Sequence, residues 1–134
     1  MPLSLEEAQR LVAAAHAQAR DGGLRVAVAV VDEGGTLVTL ARMDGAPPLS
    51  SQIAEAKAVG AALWHREGDS LAEVYQQRAK FFEQVDRMVR VPMVPGLGSL
   101  LIRRDGRVLG AVGVSGAQPE QDNACAQAGL DAIS

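Results

Sequence analysis

Apolar side chains recur at helical spacing near the start of the chain. Leu5, Ala8, Leu11, Val12, Ala15 and Ala19 fall on one face, with Glu6, Arg10 and Gln18 on the others. Ser4 and Glu7 stand three apart just before the run, the spacing of a capping box, and Asp21-Gly22-Gly23 closes it. The pattern predicts a helix to about Asp21. The period then changes. LRVAVAVVD (24–32) and TLVTLARM (36–43) are rich in β-branched and apolar residues on either side of EGG, which predicts a hairpin. The first run is almost continuously apolar and is assigned to the centre of a sheet.

Ser50 or Ser51 is placed to cap a second helix, 51–64, which Gly68 is expected to stop or bend. Residues 69–88 predict one long amphipathic helix, with Leu71, Val74, Tyr75, Arg78, Phe82, Val85 and Val89 on one stripe. A second capping box is expected at Ser70 and Glu73. VPMVPGLG (91–98) reads as a connection with room for a short edge strand. SLLIRRDGRVLGAVGVSG (99–116) turns at Asp105-Gly106, as an antiparallel hairpin does. A last helix runs from Pro119, favoured at the first helical position, to about Ile133. Two hairpins among helices predict an α+β fold: a single domain, 1–134, with a mainly antiparallel sheet and flanking helices.

Composition narrows the function classes. A net charge of −3 with mixed signs gives no footprint for nucleic acid or an anionic membrane surface. The N-terminus lacks the pattern of a signal peptide and no run reaches membrane-spanning length, so a cytoplasmic protein is expected. Cys125 is the one cysteine, which excludes an internal disulfide, and its Ala-rich setting predicts a buried, inert thiol. No H-x₃-H, C-x-x-C or carboxylate cluster has metal-ligand spacing, so no dedicated metal site is expected. Aromatics are limited to Trp64, Tyr75, Phe81 and Phe82. A core of Ala and Val buries little area per residue, and assembly into a homo-oligomer would bury more.

Several residues could carry chemistry. Arg42 and Asp44 end a strand beside Gly45: Asp44 fits a simple turn, and Arg42 is placed to clamp a carboxylate. Lys57 stands on a helix otherwise made largely of Ala, Ile and Val, where it either snorkels to solvent or lines a pocket. In GVSGAQPEQD (113–122), Gly113 and Gly116 permit a tight turn, and Ser115 and Gln118 are candidate N-caps. Glu120 and Asp122 already satisfy the helix dipole, which argues against a phosphate cradle and leaves an acidic rim. His65, beside Trp64, is the better placed histidine for a ligand role. His16 shares a helix face with Gln9, Ala13 and Arg20 and is expected at the surface.

VAVAVVDEGGTLVTLARMDGAP, IAEAKAVGAAL and RRDGRVLGAVGVSGAQPEQD, followed by an Ala-rich helix, resemble the GlcG/HbpS-like haem-binding family, which includes the C-terminal domain of PduO-type proteins. The resemblance spans the chain except about 64–97. It implies a profilin-like sandwich, usually a homo-oligomer, and, for some members, binding of haem or a corrinoid. On that basis the chain is expected to bind haem or a related small ligand in sensing, storage or transport, with no other cofactor. An apolar slot would be lined from 64–97, Arg42 or Lys57 would pair a propionate, and His65 would be axial. Ligand contacts are expected among Arg42, Asp44, Lys57, His65, Ser115, Gln118 and Glu120. The alternative is a cofactor-independent enzyme on a small organic acid or carbonyl compound, in which Lys57, Glu120 and Asp122 act beside Arg42.

Overall fold

The computed structural model describes residues 1–134. The elements run α1 (Leu5–Asp21), β1 (Ala27–Asp32), β2 (Leu37–Arg42), α2 (Ser50–Trp64), α3 (Gly68–Gln77), α4 (Ala79–Asp86), β3 (Ser99–Arg104), β4 (Arg107–Ser115) and α5 (Pro119–Asp131). All four strands form one antiparallel sheet in the order β2-β1-β4-β3, so the most apolar run does lie inside it. Alternation splits the core by face. Val26, Val28, Val30, Val112 and Val114 pack with α1 and α5. Ala27, Ala29, Val31, Leu101 and Ala111 pack with α2 and its successors. The fold is an α+β sandwich of three layers.

Small residues set how closely the layers approach. Gly113 of β4 lies directly beneath α2, where a Cβ would fall 2.1 Å from the Ala54 carbonyl oxygen and 2.7 Å from the Ala58 nitrogen. Such contact is open only to a residue without a side chain.

Turn and cap chemistry places the outer elements. The Ser4 hydroxyl accepts from the Glu7 N–H at 3.1 Å and Glu7 accepts from the Ser4 N–H at 3.2 Å, so the first capping box forms. Leu5 lies outside the buried face, 52% exposed. Asp105 and Gly106 both take positive φ, 52° and 78°, as a two-residue hairpin turn requires.

Elsewhere the chain departs from the expected pattern. Neither Ser50 nor Ser51 caps α2; Leu49 holds that position and the Ser50 hydroxyl bonds the Pro47 carbonyl instead. His65, left-handed at φ 52°, ends α2 before Gly68 is reached. Gly68 opens α3, where a Cβ would fall 1.8 Å from the Gly96 carbonyl oxygen. Ser70 lies inside α3 and accepts from Arg66, so the second capping box does not form. The expected long helix breaks at Arg78, with φ −135° and ψ 44°, and is two helices. The break turns Phe82 inward against Trp64 and Tyr75, with ring centroids at 4.8 and 5.5 Å. Residues 91–98 form no strand.

Candidate ligand-binding site

Four segments meet at one end of the β1–β2 hairpin. His16 and Arg20 lie one turn apart on α1. Pairing of Ala27 with Arg42, extended by the Met43 N–H to the Val26 carbonyl, sets Arg25 beside the Met43–Asp44 turn. His16, Arg20, Arg25, Arg42, Met43 and Asp44 line an open pocket of about 440 Å³. Three arginines thus share the pocket lining with one acidic residue, Asp44. The Arg42 Nη1 donates to the Ala46 carbonyl at 2.8 Å, which fixes part of its orientation. Met43 is nearly buried at the floor, its sulfur accepting the Val26 N–H at 3.5 Å.

His16 is half-buried rather than a surface residue. Its Nε2 lies 3.1 Å from the Ala41 carbonyl oxygen. A carbonyl only accepts, so Nε2 carries the proton, and in the neutral ring the Nδ1 lone pair is left without a protein partner. Burial pushes the His16 pKa below the usual histidine value; the Ala41 bond pulls it up, and the Arg20 charge adds to the lowering. Burial therefore favours the neutral ring. An imidazole whose other N–H is anchored on a carbonyl is the arrangement that orients histidine toward a metal.

Lys57 and Asp122 make a second cluster, closed to solvent. The Lys57 ammonium donates to the Val114 carbonyl at 2.9 Å and meets Asp122 Oδ2 at 3.4 Å. Asp122 Oδ1 accepts the Ala117 N–H at 3.0 Å. Both residues are at least nine-tenths buried. The ammonium crosses from the α2 layer to the α5 layer past Gly98, where a Cβ would fall 2.7 Å from Nζ. Burial pushes the Asp122 pKa up, while Lys57 and the Ala117 N–H pull it down. Burial also raises the Cys125 thiol, and the Asp122 charge adds to it. The GVSGAQPEQD turn therefore holds an internal cation. Its expected acidic rim does not form, because Asp122 points inward while Glu120 stays exposed.

The remaining candidates are dispersed. His65 is exposed in a polar cleft with Arg66, Glu67, Asp69 and Arg103. Ser115 is buried in β4 opposite Ala27, and Gln118 is the N-cap of α5, its N–H donating to Gln121 Oε1 at 3.0 Å. The aromatics of 64–82 pack on one another instead of lining a slot. A groove of about 330 Å³ does run between α2 and residues 90–94, but Arg42, Lys57 and His65 are not among its walls. Arg42 is not a partner of Lys57 or Asp122, so the convergence that the enzyme reading needs is absent. No cluster of three or more His, Cys, Asp or Glu side chains could hold a metal ion, and no helix is long and apolar enough to cross a membrane.

Arg20 and Arg25 were not expected in a site, nor was His16. One signal was legible: His16 and Arg20 are an i, i+4 pair, and hairpin pairing of 24–32 with 36–43 brings Arg25 near Arg42. What the strands alone do not show is that α1 crosses this end of the hairpin.

The chain is a three-layer α+β domain with an open basic pocket at one end of its β1–β2 hairpin. Residues 3–131 match the family described as "Haem degrading protein HbpS-like", and the chain belongs to it. It is 35% identical over 114 residues to Protein GlcG of Escherichia coli K12, covering 84% of this chain and 81% of GlcG. The solved PduOC:heme complex superposes with a TM-score of 0.89 at 30% identity, covering 100% of this chain and 96% of that one. A double mutant of Streptomyces reticuli HbpS gives a TM-score of 0.90 at 29% identity, covering 100% of this chain and 88% of that one.

Proposed function

We propose that this chain binds haem or a closely related tetrapyrrole at the pocket of His16, Arg20, Arg25 and Arg42. The observation that carries the reading is the His16 ring, anchored through Nε2 with no hydrogen-bond partner at Nδ1, in a pocket shared with Arg20, Arg25 and Arg42. The relative solved with haem supports it. His16 would ligate the iron and the arginines would hold the propionates; the bound group would supply the iron chemistry that sensing, storage or transport exploits. The iron-ligand role passes from His65 to His16 because the His16 ring is half-buried and anchored through Nε2, whereas His65 stands exposed. Of the six lining residues only Met43 is apolar, so one copy leaves much of a macrocycle uncovered. A homo-oligomer is part of the reading, and Leu49, Leu63 and Met88, 58, 51 and 82% exposed, offer apolar surface for it.

Haemin titration followed by the Soret band tests the reading. Wild type is expected to saturate near one haem per site. His65→Ala should bind as wild type does. His16→Ala should weaken binding beyond the roughly 10–100-fold that loss of a ligand's outer-shell partner costs. Equal binding by wild type and His16→Ala would remove His16 from the role, and no saturable binding by wild type would remove haem.

The depressed His16 pKa sets the pH dependence. Folding disfavours its protonation, so its contribution to stability is complete above about 6.5, the unfolded value, and is lost as pH falls through the lower folded value. Haemin affinity should follow the same course, holding below pH 6.5 before it drops. A midpoint at or above 6.5 in a Soret titration against pH would contradict this.

A further inference from the structure

The pocket carries more positive charge than a single iron ligand needs. Arg20, Arg25 and Arg42 share its wall with one acidic residue, Asp44, and with His16. The Arg20 charge is felt at the His16 ring, where it helps to lower the pKa. The Arg25 stem lies in ordinary van der Waals range of Gly45, where a Cβ would sit 3.6 Å from Arg25 Cδ. Arg42 is steered by the Ala46 carbonyl. Like charges gathered in one pocket repel, and an anion bound among them relieves the repulsion. Guanidinium groups pair with carboxylates in a fixed fork geometry that amides and esters, which carry no charge, do not match.

We infer that Arg20, Arg25 and Arg42 make the site selective for tetrapyrroles with free carboxylates, so that it discriminates by peripheral charge. This rests on the tetrapyrrole reading of the same pocket. A haem presents two propionates to such a wall. A corrinoid whose side chains are amidated presents none, nor does a haem whose propionates are esterified. The arginines therefore decide which tetrapyrrole is accepted, and His16 reads the iron.

The test compares haemin, haemin dimethyl ester and cyanocobalamin on the 134-residue chain, by absorbance titration at low and high salt. The expected result is haemin binding that weakens with salt. The dimethyl ester should bind about tenfold or more weakly, in keeping with the loss of charge-assisted hydrogen bonds, with little salt dependence, and cyanocobalamin should not bind. Arg25→Gln and Arg42→Gln, at exposed positions, should lower haemin affinity toward that of the ester and reduce its dependence on salt. Arg87→Gln, at the C-cap of α4 and outside the pocket lining, should alter neither. If wild type binds the ester as tightly as haemin, charge selection is overturned while the haem reading stands. If wild type binds neither porphyrin, both readings fall. The ester comparison uses wild type alone, so it decides the matter even if a variant folds poorly.

Discussion

Asp122→Ala is expected to destabilise the fold by about 3–5 kcal/mol, the usual cost of removing one member of a buried ion pair. Lys57 would then keep only the Val114 carbonyl as partner for a buried ammonium, and the Ala117 N–H would lose its acceptor. Lys57→Met combined with Asp122→Leu should recover much of that loss, because an apolar pair spares both charges their desolvation. The raised Asp122 pKa agrees, since it marks ionisation of this carboxyl as costly in the folded chain. Urea denaturation of wild type, Lys57→Met, Asp122→Leu and the double variant gives the coupling. Additive losses would mean that the two side chains do not interact, contrary to the geometry.

Gly113→Ala is the other substitution with a large expected effect, a loss of about 3 kcal/mol or more, at the upper end of overpacking costs. The added methyl would meet backbone atoms of Ala54 and Ala58, which no rotamer change can move aside. Either α2 lifts from the sheet or β4 bends away from it. A thermal scan with near-ultraviolet circular dichroism should show a lower midpoint and a changed Trp64 signal, because Trp64 ends the helix that is pushed. An unchanged midpoint would mean that the layer spacing is softer than the contact implies.

Much of this architecture was legible in the residues. The hairpin at Asp105-Gly106 and the capping box at Ser4 depend on local chemistry, and both formed. The sheet centre was legible from the unbroken apolar run at 26–31. Local rules failed where distant segments decided the outcome. Ser70 and Glu73 have the spacing of a cap, but Gly68 is drawn against Gly96 and the helix begins earlier. The apolar stripe from Leu71 to Val89 reads as one helix, yet closing an aromatic cluster over α2 requires a break at Arg78. Site residues were harder still. Arg42 was legible because it ends a strand beside a turn, whereas His16 gains its character from the Ala41 carbonyl, twenty-five residues away. Asp122 looked like a dipole partner at a helix start, and only the three-dimensional position of Lys57 reveals it as a counter-ion.

Cys125 has a consequence for how the molecule can be watched. The thiol is 1% exposed, and both burial and the neighbouring Asp122 charge hold it protonated. A thiolate is the reactive form, so a labelling reagent must wait until α5 opens. With a single sulfhydryl in the chain, the labelling rate becomes a clock for that opening, readable in a mixture and at concentrations too low for calorimetry.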